Sequence, residues 1–67
     1  MFKTGDKVRL LRDQKALHTG PEIFKAGETG TLGEMYRIQD GFEVWHLVLD
    51  RPGYVFIAVA HPNIEKI

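Results

Sequence analysis

Glycine and proline interrupt this sequence so often that short strands are favoured over helices. Seven Gly and three Pro divide the chain, and the segments between them are rich in Val, Ile, Leu, Phe, Tyr and Trp. Runs of β-branched and aromatic residues bounded by turn-forming residues are typical of strands. The sequence therefore predicts a compact all-β fold.

The length of the chain leaves room for one domain, which we expect to cover residues 1–67. A chain of this size buries only about 60% of the surface that its unfolded form exposes, so the core is small. The sequence contains no Cys. Disulfides, Cys-based zinc sites and thiol catalysis are therefore excluded.

Turn signals divide the chain into five predicted strands joined by short connections and one long one. Gly30 and Gly33 lie inside the second strand and predict a bulge or a sharp bend. Asp40-Gly41 is the strongest hairpin signal, and residues 60–63 are typical of a 3₁₀ turn. The predicted strands cover residues 7–12, 28–36, 42–49, 54–59 and 64–67.

The long connection, residues 13–26, is predicted to be irregular and is broken by Thr19-Gly20-Pro21. Gln14–Leu17 is compatible with one helical turn. We expect Ile23 and Phe24 to fold back onto the core, because a loop of this length is rarely left unpacked.

Alternation along the strands selects the residues that we expect to be buried. In the third strand we place Val44 inward, which puts Trp45 and Leu47 on the opposite face. The predicted core is Val8, Leu10, Phe24, Leu32, Val44, Val55, Ile57 and Ile64.

Three segments of the chain resemble the SH3-like small β-barrel superfamily. They are TGDKVRLL at 4–11, AGETGTL at 26–32 and HPNIEKI at 61–67. Similar segments occur in KOW-type domains of ribosomal proteins and transcription factors, in the photosystem I accessory subunit, in the variable chain of ferredoxin–thioredoxin reductase and in type II dihydrofolate reductase. The resemblance implies an SH3-like barrel of about five antiparallel strands with a long first loop. It implies an architecture and not an activity.

One of these families can be compared residue by residue. Type II dihydrofolate reductases carry a Val-Gln-Ile-Tyr run in the penultimate strand, whereas the matching run here is Val55-Phe56-Ile57-Ala58. Phe56 and Ala58 replace the polar pair, so the main contacts to folate and nicotinamide are missing. We therefore expect no dihydrofolate reductase activity.

The residues that carry most enzyme chemistry are absent or dispersed. Ser and Cys do not occur, and His18, His46 and His61 lack the spacing of metal ligands. The glycine-rich run 27–33 has no Lys-Ser or Lys-Thr pair and leads into a strand, unlike a phosphate-binding loop. The sequence predicts no catalytic residue, no metal site and no cofactor.

The third and fourth predicted strands are apolar on both faces, although a barrel of this size has only one interior. In FEVWHLVL, residues 42–49, neither face is polar enough for a solvated sheet surface. Either the long connection covers the second face, or another protein or a second copy does. The second alternative predicts a protein-interaction module or small accessory subunit, with a candidate binding surface formed by Trp45, Leu47, Tyr54 and Phe56.

Nucleic-acid binding by a KOW-like or Tudor-like barrel is the alternative function. It requires basic side chains gathered beside an aromatic ring, because phosphates bind the charges while bases stack on the ring. The candidates are Lys7, Arg9, Arg12, Lys15, Tyr36 and Arg37. Nine basic and nine acidic residues cancel, which favours a protein partner over a nucleic acid.

The first residues, MFKTGDKV, carry charges where a signal peptide has an apolar run. No apolar stretch approaches the ~20 residues of a membrane-spanning helix. We therefore expect a cytoplasmic protein that does not bind membranes.

Overall fold

A computed structural model describes residues 1–15 and 23–67. Within them the only helical segment is a 3₁₀ helix at His61–Asn63, so the predicted all-β fold is confirmed. The strands are β1 (Lys7–Leu10), β2 (Gln14–Lys15), β3 (Ile23–Phe24), β4 (Thr29–Gln39), β5 (Phe42–Leu49), β6 (Phe56–Ala60) and β7 (Ile64–Lys66).

Five strands form one antiparallel sheet in the order β6-β5-β4-β1-β7. The last strand thus returns to pair with the first, so the two ends of the fold are joined through β1 and β7. The other two strands, β2 and β3, form a small sheet of their own. The number of strands in the main sheet and the long first connection agree with the prediction.

The long connection is more regular than predicted. Gln14 pairs with Phe24 and Lys15 with Ile23. These two residues are therefore in a strand, and the helical turn expected to begin at Gln14 is wrong for both of them. The strand pairing places Phe24 in the core, whereas Ile23 is exposed. The rest of that expected turn and the Thr19-Gly20-Pro21 break lie outside the described residues.

The turns agree with their sequence signals more closely than the strand ends do. Asp40 and Gly41 both have positive φ, 53° and 82°, as the primed hairpin turns require. The third strand has its predicted bounds. The second continues to Gln39, because its pairing with β5 reaches the turn.

The core lies on one face of the main sheet, against Phe24 of the small sheet. It consists of Val8, Leu10, Phe24, Leu32, Trp45, Leu47, Leu49, Ile57, Val59 and Ile64. Of the predicted core residues, Val55 is only partly buried against this cluster, and Val44 is buried outside it. The others are confirmed.

The predicted inward face of the third strand was wrong. Trp45 and Leu47 are 6% and 0% exposed, so the side of β5 that we placed outward faces the core. Leu47 pairs with Leu32 on one side and with Ile57 on the other, and these two side chains are also in the core. The Trp45 indole is satisfied where it lies, because its Nε1 donates to Glu43 Oε1 at 3.1 Å.

Gly30 allows β4 and β5 to come close together at the core. It is buried, and a Cβ at this position would lie 2.5 Å from the carbonyl oxygen of Val48 and 2.8 Å from Leu47 Cδ1. The backbone atom cannot yield without moving β5. This close approach explains the first of the two strand glycines, which the sequence linked to a bend.

An ion pair fixes the end of the long connection to the turn after β5. The Glu28 carboxylate accepts hydrogen bonds from Arg51 Nε at 2.8 Å and from Arg51 Nη2 at 2.7 Å. The Arg51 guanidinium also lies 4.5 Å from the centre of the Phe24 ring. The hydrogen bonds from Arg51 hold the pKa of Glu28 below its usual value, against the opposing effect of burial.

Gly30→Ala should lower the free energy of unfolding by about 1–3 kcal/mol, because the added methyl group overpacks the contact between β4 and β5. Urea denaturation followed by Trp45 fluorescence measures this loss. The control is Glu34→Ala, an exposed residue of the same strand, which should change the midpoint little. Equal midpoints for the two variants would contradict the close approach.

Glu28→Gln should lower stability at neutral pH by about 0.5–1 kcal/mol, since the ion pair is only partly shielded from water. A carboxylate whose pKa is lowered by folding stabilises the protein above its unfolded pKa, and this contribution is lost as the pH falls through the folded pKa. The difference between wild type and variant should therefore shrink during acid titration. Glu34→Gln is the control, and a difference that stays constant with pH would contradict the ion pair.

Candidate interaction surface

His46 lies on the outer face of the sheet, on β5 between β4 and β6. Because side chains alternate along a strand, the inward packing of Trp45 and Leu47 turns His46 outward. Its partner on β6 is Ala58, which is small. On the β4 side, a Cβ on Gly33 would lie 3.1 Å from His46 Cδ2. The absence of a side chain at Gly33 therefore leaves room for the imidazole.

Two register shifts in β4 bring a tyrosine to this histidine. The pairs Leu32↔Leu47, Met35↔Trp45 and Arg37↔Val44 show that β4 gains one residue over β5 at each shift. Across the first shift, Gly33 and Glu34 lie opposite His46 alone. Across the second, Tyr36 has no partner on β5. Such extra residues re-aim the side chains around them, and here Tyr36 contacts His46. The irregularity predicted near Gly33 is confirmed.

Four side chains from three segments of the chain then form an aromatic cluster: Tyr36, His46, Tyr54 and Phe56. The Tyr36 hydroxyl lies 2.8 Å from His46 Nδ1, and the Tyr54 hydroxyl lies 3.1 Å from His46 Nε2. Phe56 stacks on the imidazole with 4.6 Å between ring centres and 15° between planes. The ring centres of Tyr54 and Phe56 are 5.3 Å apart.

The hydrogen bonds define what His46 can do. A tyrosine hydroxyl can donate or accept a hydrogen bond, so it can pair with either kind of imidazole nitrogen. Both ring nitrogens are engaged within the protein. His46 therefore acts as a bridge that holds two tyrosine rings.

The rings that His46 holds are largely open to solvent. Tyr36, Tyr54 and Phe56 are 48%, 70% and 46% exposed. An exposed apolar patch is typical of an interaction site.

The structure divides the four predicted protein-binding residues into two pairs. Tyr54 and Phe56 are exposed and in contact, within the aromatic cluster. Trp45 and Leu47 lie in the core, so the exposed patch that we expected around Trp45 is corrected. The reason is the alternation of side chains along β5. Leu47 pairs with the core residues Leu32 and Ile57, so Trp45, two residues before it, also faces the core. Covering of the second face by Ile23 and Phe24 is not seen, since Ile23 is exposed and Phe24 is in the core; Leu17 lies outside the described residues.

The six alternative nucleic-acid-binding residues are not joined to one another by any hydrogen bond or ring contact among the described residues. Lys7 pairs with Asp50 at 2.9 Å, and Arg9 pairs with Glu65 at 2.7 Å. Hydrogen bonds from Thr29 and then from Lys7 hold the pKa of Asp50 below its usual value. The other members are Arg12 and Lys15, which are exposed, Arg37, whose Nε donates to Gln39, and Tyr36 in the aromatic cluster.

A pocket beside the Asp40-Gly41 turn is lined by Met1, Phe2, Ile38, Gly41, Glu43 and His61. Its two polar side chains have structural partners. His61 Nδ1 accepts the backbone N–H of Glu43 at 3.1 Å, and the Glu43 carboxylate accepts from Trp45. These contacts tie the 3₁₀ helix to β5.

Within residues 1–15 and 23–67, no three His, Asp or Glu side chains lie close enough to hold a metal ion. His18 lies outside the described residues. The part of the chain that the structure describes contains no helix long and apolar enough to cross a membrane.

Comparison with family models, with curated proteins and with solved structures finds no match for this chain.

The sequence interpretation missed His46 as a member of the surface and assigned Tyr36 to the alternative function. Two local signals bear on both residues. The two-residue turn at Asp40-Gly41 sets the pairing of Gln39 with Phe42, and Gly33 marks the shift that brings β4 past His46. Together they place Tyr36 and His46 close together on the hairpin.

Replacing His46 by Phe should keep the stacking on Phe56 and remove both hydrogen bonds to the tyrosines. We expect a loss of about 1 kcal/mol in unfolding free energy, because each bond is exposed and worth about 0.5–1.5 kcal/mol at most. The double variant Tyr36→Phe/Tyr54→Phe removes the same bonds from the other side. The combined triple variant should be no less stable than either parent, as measured by urea denaturation. Additive losses would show that the bonds do not form.

Proposed function

We propose that this protein is a non-catalytic protein-binding domain, an interaction module or small accessory subunit, and that it binds through the aromatic cluster. The observation that carries the proposal is the exposure of Tyr36, Tyr54 and Phe56 around a histidine that fixes two of them.

The chemistry of the cluster suits a protein surface. Tyr is enriched in protein interfaces because it combines a large apolar ring with a hydroxyl and loses few rotatable bonds on binding. Here the rings are restrained before any partner arrives, by hydrogen bonds to His46 and by stacking on Phe56. Such preorganisation reduces the entropy lost on association.

The charge distribution favours a protein over a nucleic acid. The formal net charge is zero, and a phosphate would compete with Asp50 for Lys7 and with Glu65 for Arg9. The aromatic cluster itself contains no lysine or arginine. Phosphate contacts supply much of the affinity of nucleic-acid-binding proteins, and the cluster offers none.

Site-specific photo-crosslinking tests the proposal. A benzoylphenylalanine at position 54, in the cells that make the protein, should form discrete protein adducts, and adding Phe56→Ser should abolish them. The same probe at Lys3, which is exposed and outside the cluster, is the control and should form none. Equal adducts from both positions, or none from position 54, would contradict the proposal.

Fluorescence anisotropy with labelled single-stranded RNA and DNA, at low and at moderate salt, tests the alternative. We expect no saturable binding at either salt concentration. Binding that weakens with salt and is lost in Lys7→Ala/Arg9→Ala would overturn the proposal in favour of nucleic-acid recognition.

A further inference from the structure

The two edges of the main sheet differ in how they are protected. At the β7 edge, Glu65 and Lys66 carry charges and form ion pairs with Arg9 and Asp6. The β6 edge has the sequence FIAVA, residues 56–60, without a charge or a proline. Charged residues and prolines are common means of preventing an edge strand from pairing. β6 has neither.

The backbone of β6 is oriented for pairing on its open side. Leu49 N donates to the Val55 carbonyl at 2.9 Å, so residues 55, 57 and 59 point their backbone groups toward β5, because the pattern alternates in antiparallel sheets. Phe56, Ala58 and Ala60 then point theirs away from β5. Among the described residues, β5 is the only strand that pairs with β6.

We infer that a second copy of this chain docks along β6, antiparallel, with a two-fold axis at Ala58. The inference rests on the proposed function and names its partner. Hydrogen bonding between the two β6 strands would continue one sheet through both molecules. The two aromatic clusters would lie on the same face of that sheet, since the two-fold axis of an antiparallel pair is perpendicular to the sheet.

The side chains of β6 complement a second β6 in this register. Phe56 falls opposite Ala60 of the second copy, Ile57 falls opposite Val59, and Ala58 meets Ala58. A large residue faces a smaller one on the outer side, and two β-branched residues meet on the inner side. Ala58, a small residue of the outer face, lies on the axis, where its backbone groups would bond to those of the second Ala58.

The charge of the protein supports a second copy as the occupant. With nine basic and nine acidic residues, two molecules have no net repulsion to overcome. A two-fold interface also uses one patch twice and closes at two copies. A contact of β6 with a partner's β7 edge would be head-to-tail and would place the apolar β6 beside the charged side chains of Glu65 and Lys66.

Charge substitution at Ala58 tests the inference, because only residue 58 faces itself. Light scattering and sedimentation, from about 5 µM to about 1 mM to cover weak association, should show the wild-type mass rising from 7.7 kDa toward twice that value. Ala58→Lys and Ala58→Glu should each stay monomeric. An equimolar mixture of the two should regain the dimer, since opposite charges then meet on the axis.

The controls separate loss of pairing from loss of folding. Ile38→Lys puts the same charge on an exposed apolar residue of β4 and should leave the dimer intact. Ala58→Pro removes only a backbone donor that points to the open edge, so it should give a folded monomer without adding charge. Circular dichroism checks that each variant is folded.

A wild type that stays monomeric, an Ala58→Lys variant that still dimerises, or an oligomer that grows beyond two copies would overturn the inference. If the wild type is monomeric while the probe at position 54 still gives adducts that Phe56→Ser removes, the second copy is wrong and the binding surface stands. If both experiments fail, the proposed function is wrong as well.

Discussion

The packing of Leu47 between Leu32 and Ile57 determines most of this structure. These three side chains meet at the pairing positions of three neighbouring strands and are all buried. A slip of one residue would turn every side chain of β5 to the opposite face. The position of Leu47 therefore decides that Trp45 is in the core and that His46 is outside. The position of the aromatic cluster on the outer face therefore follows from the packing of Leu47 in the core.

The turns and the strands of the main sheet could be predicted from the sequence because their signals are local, whereas the pairing of β2 with β3 could not. Asp40-Gly41, His61-Pro62 and the glycines of β4 each act within a few residues. The orientation of β5 could not be predicted in the same way, because Val44 and Val48 on one face compete with Leu47 and Leu49 on the other. Residues distant in sequence settle that competition. The site was recognised only in part for the same reason, since Tyr36 reaches His46 through two register shifts.

Charge and aromaticity are separated on the surface. The ion pairs join β1 to the turn at Asp50 and to β7, so they lie around the strands that close the fold. The aromatic rings lie on β4, β5 and β6 and the residues just before β6. Exposed ion pairs contribute little to stability. These two, however, bring an acidic partner to Lys7 and to Arg9, so each of these basic side chains is paired within the protein. The exposed aromatic cluster is therefore apolar and hydroxyl-bearing, without an ion pair of its own.

The two register shifts also divide β4 into two halves that differ in their strand partners. Gly30 and Thr31 pair with β1 as well as with β5, whereas Met35, Arg37, Ile38 and Gln39 pair with β5 alone, and residues 34–39 are all exposed. The distal half of β4 thus contributes no buried side chain. Sequence changes at these positions of β4, including paired insertions at the Asp40-Gly41 turn, would alter exposed side chains and leave the buried side chains of β4 unchanged. The architecture thereby gives this small domain a part that can diversify while its folding requirements stay constant.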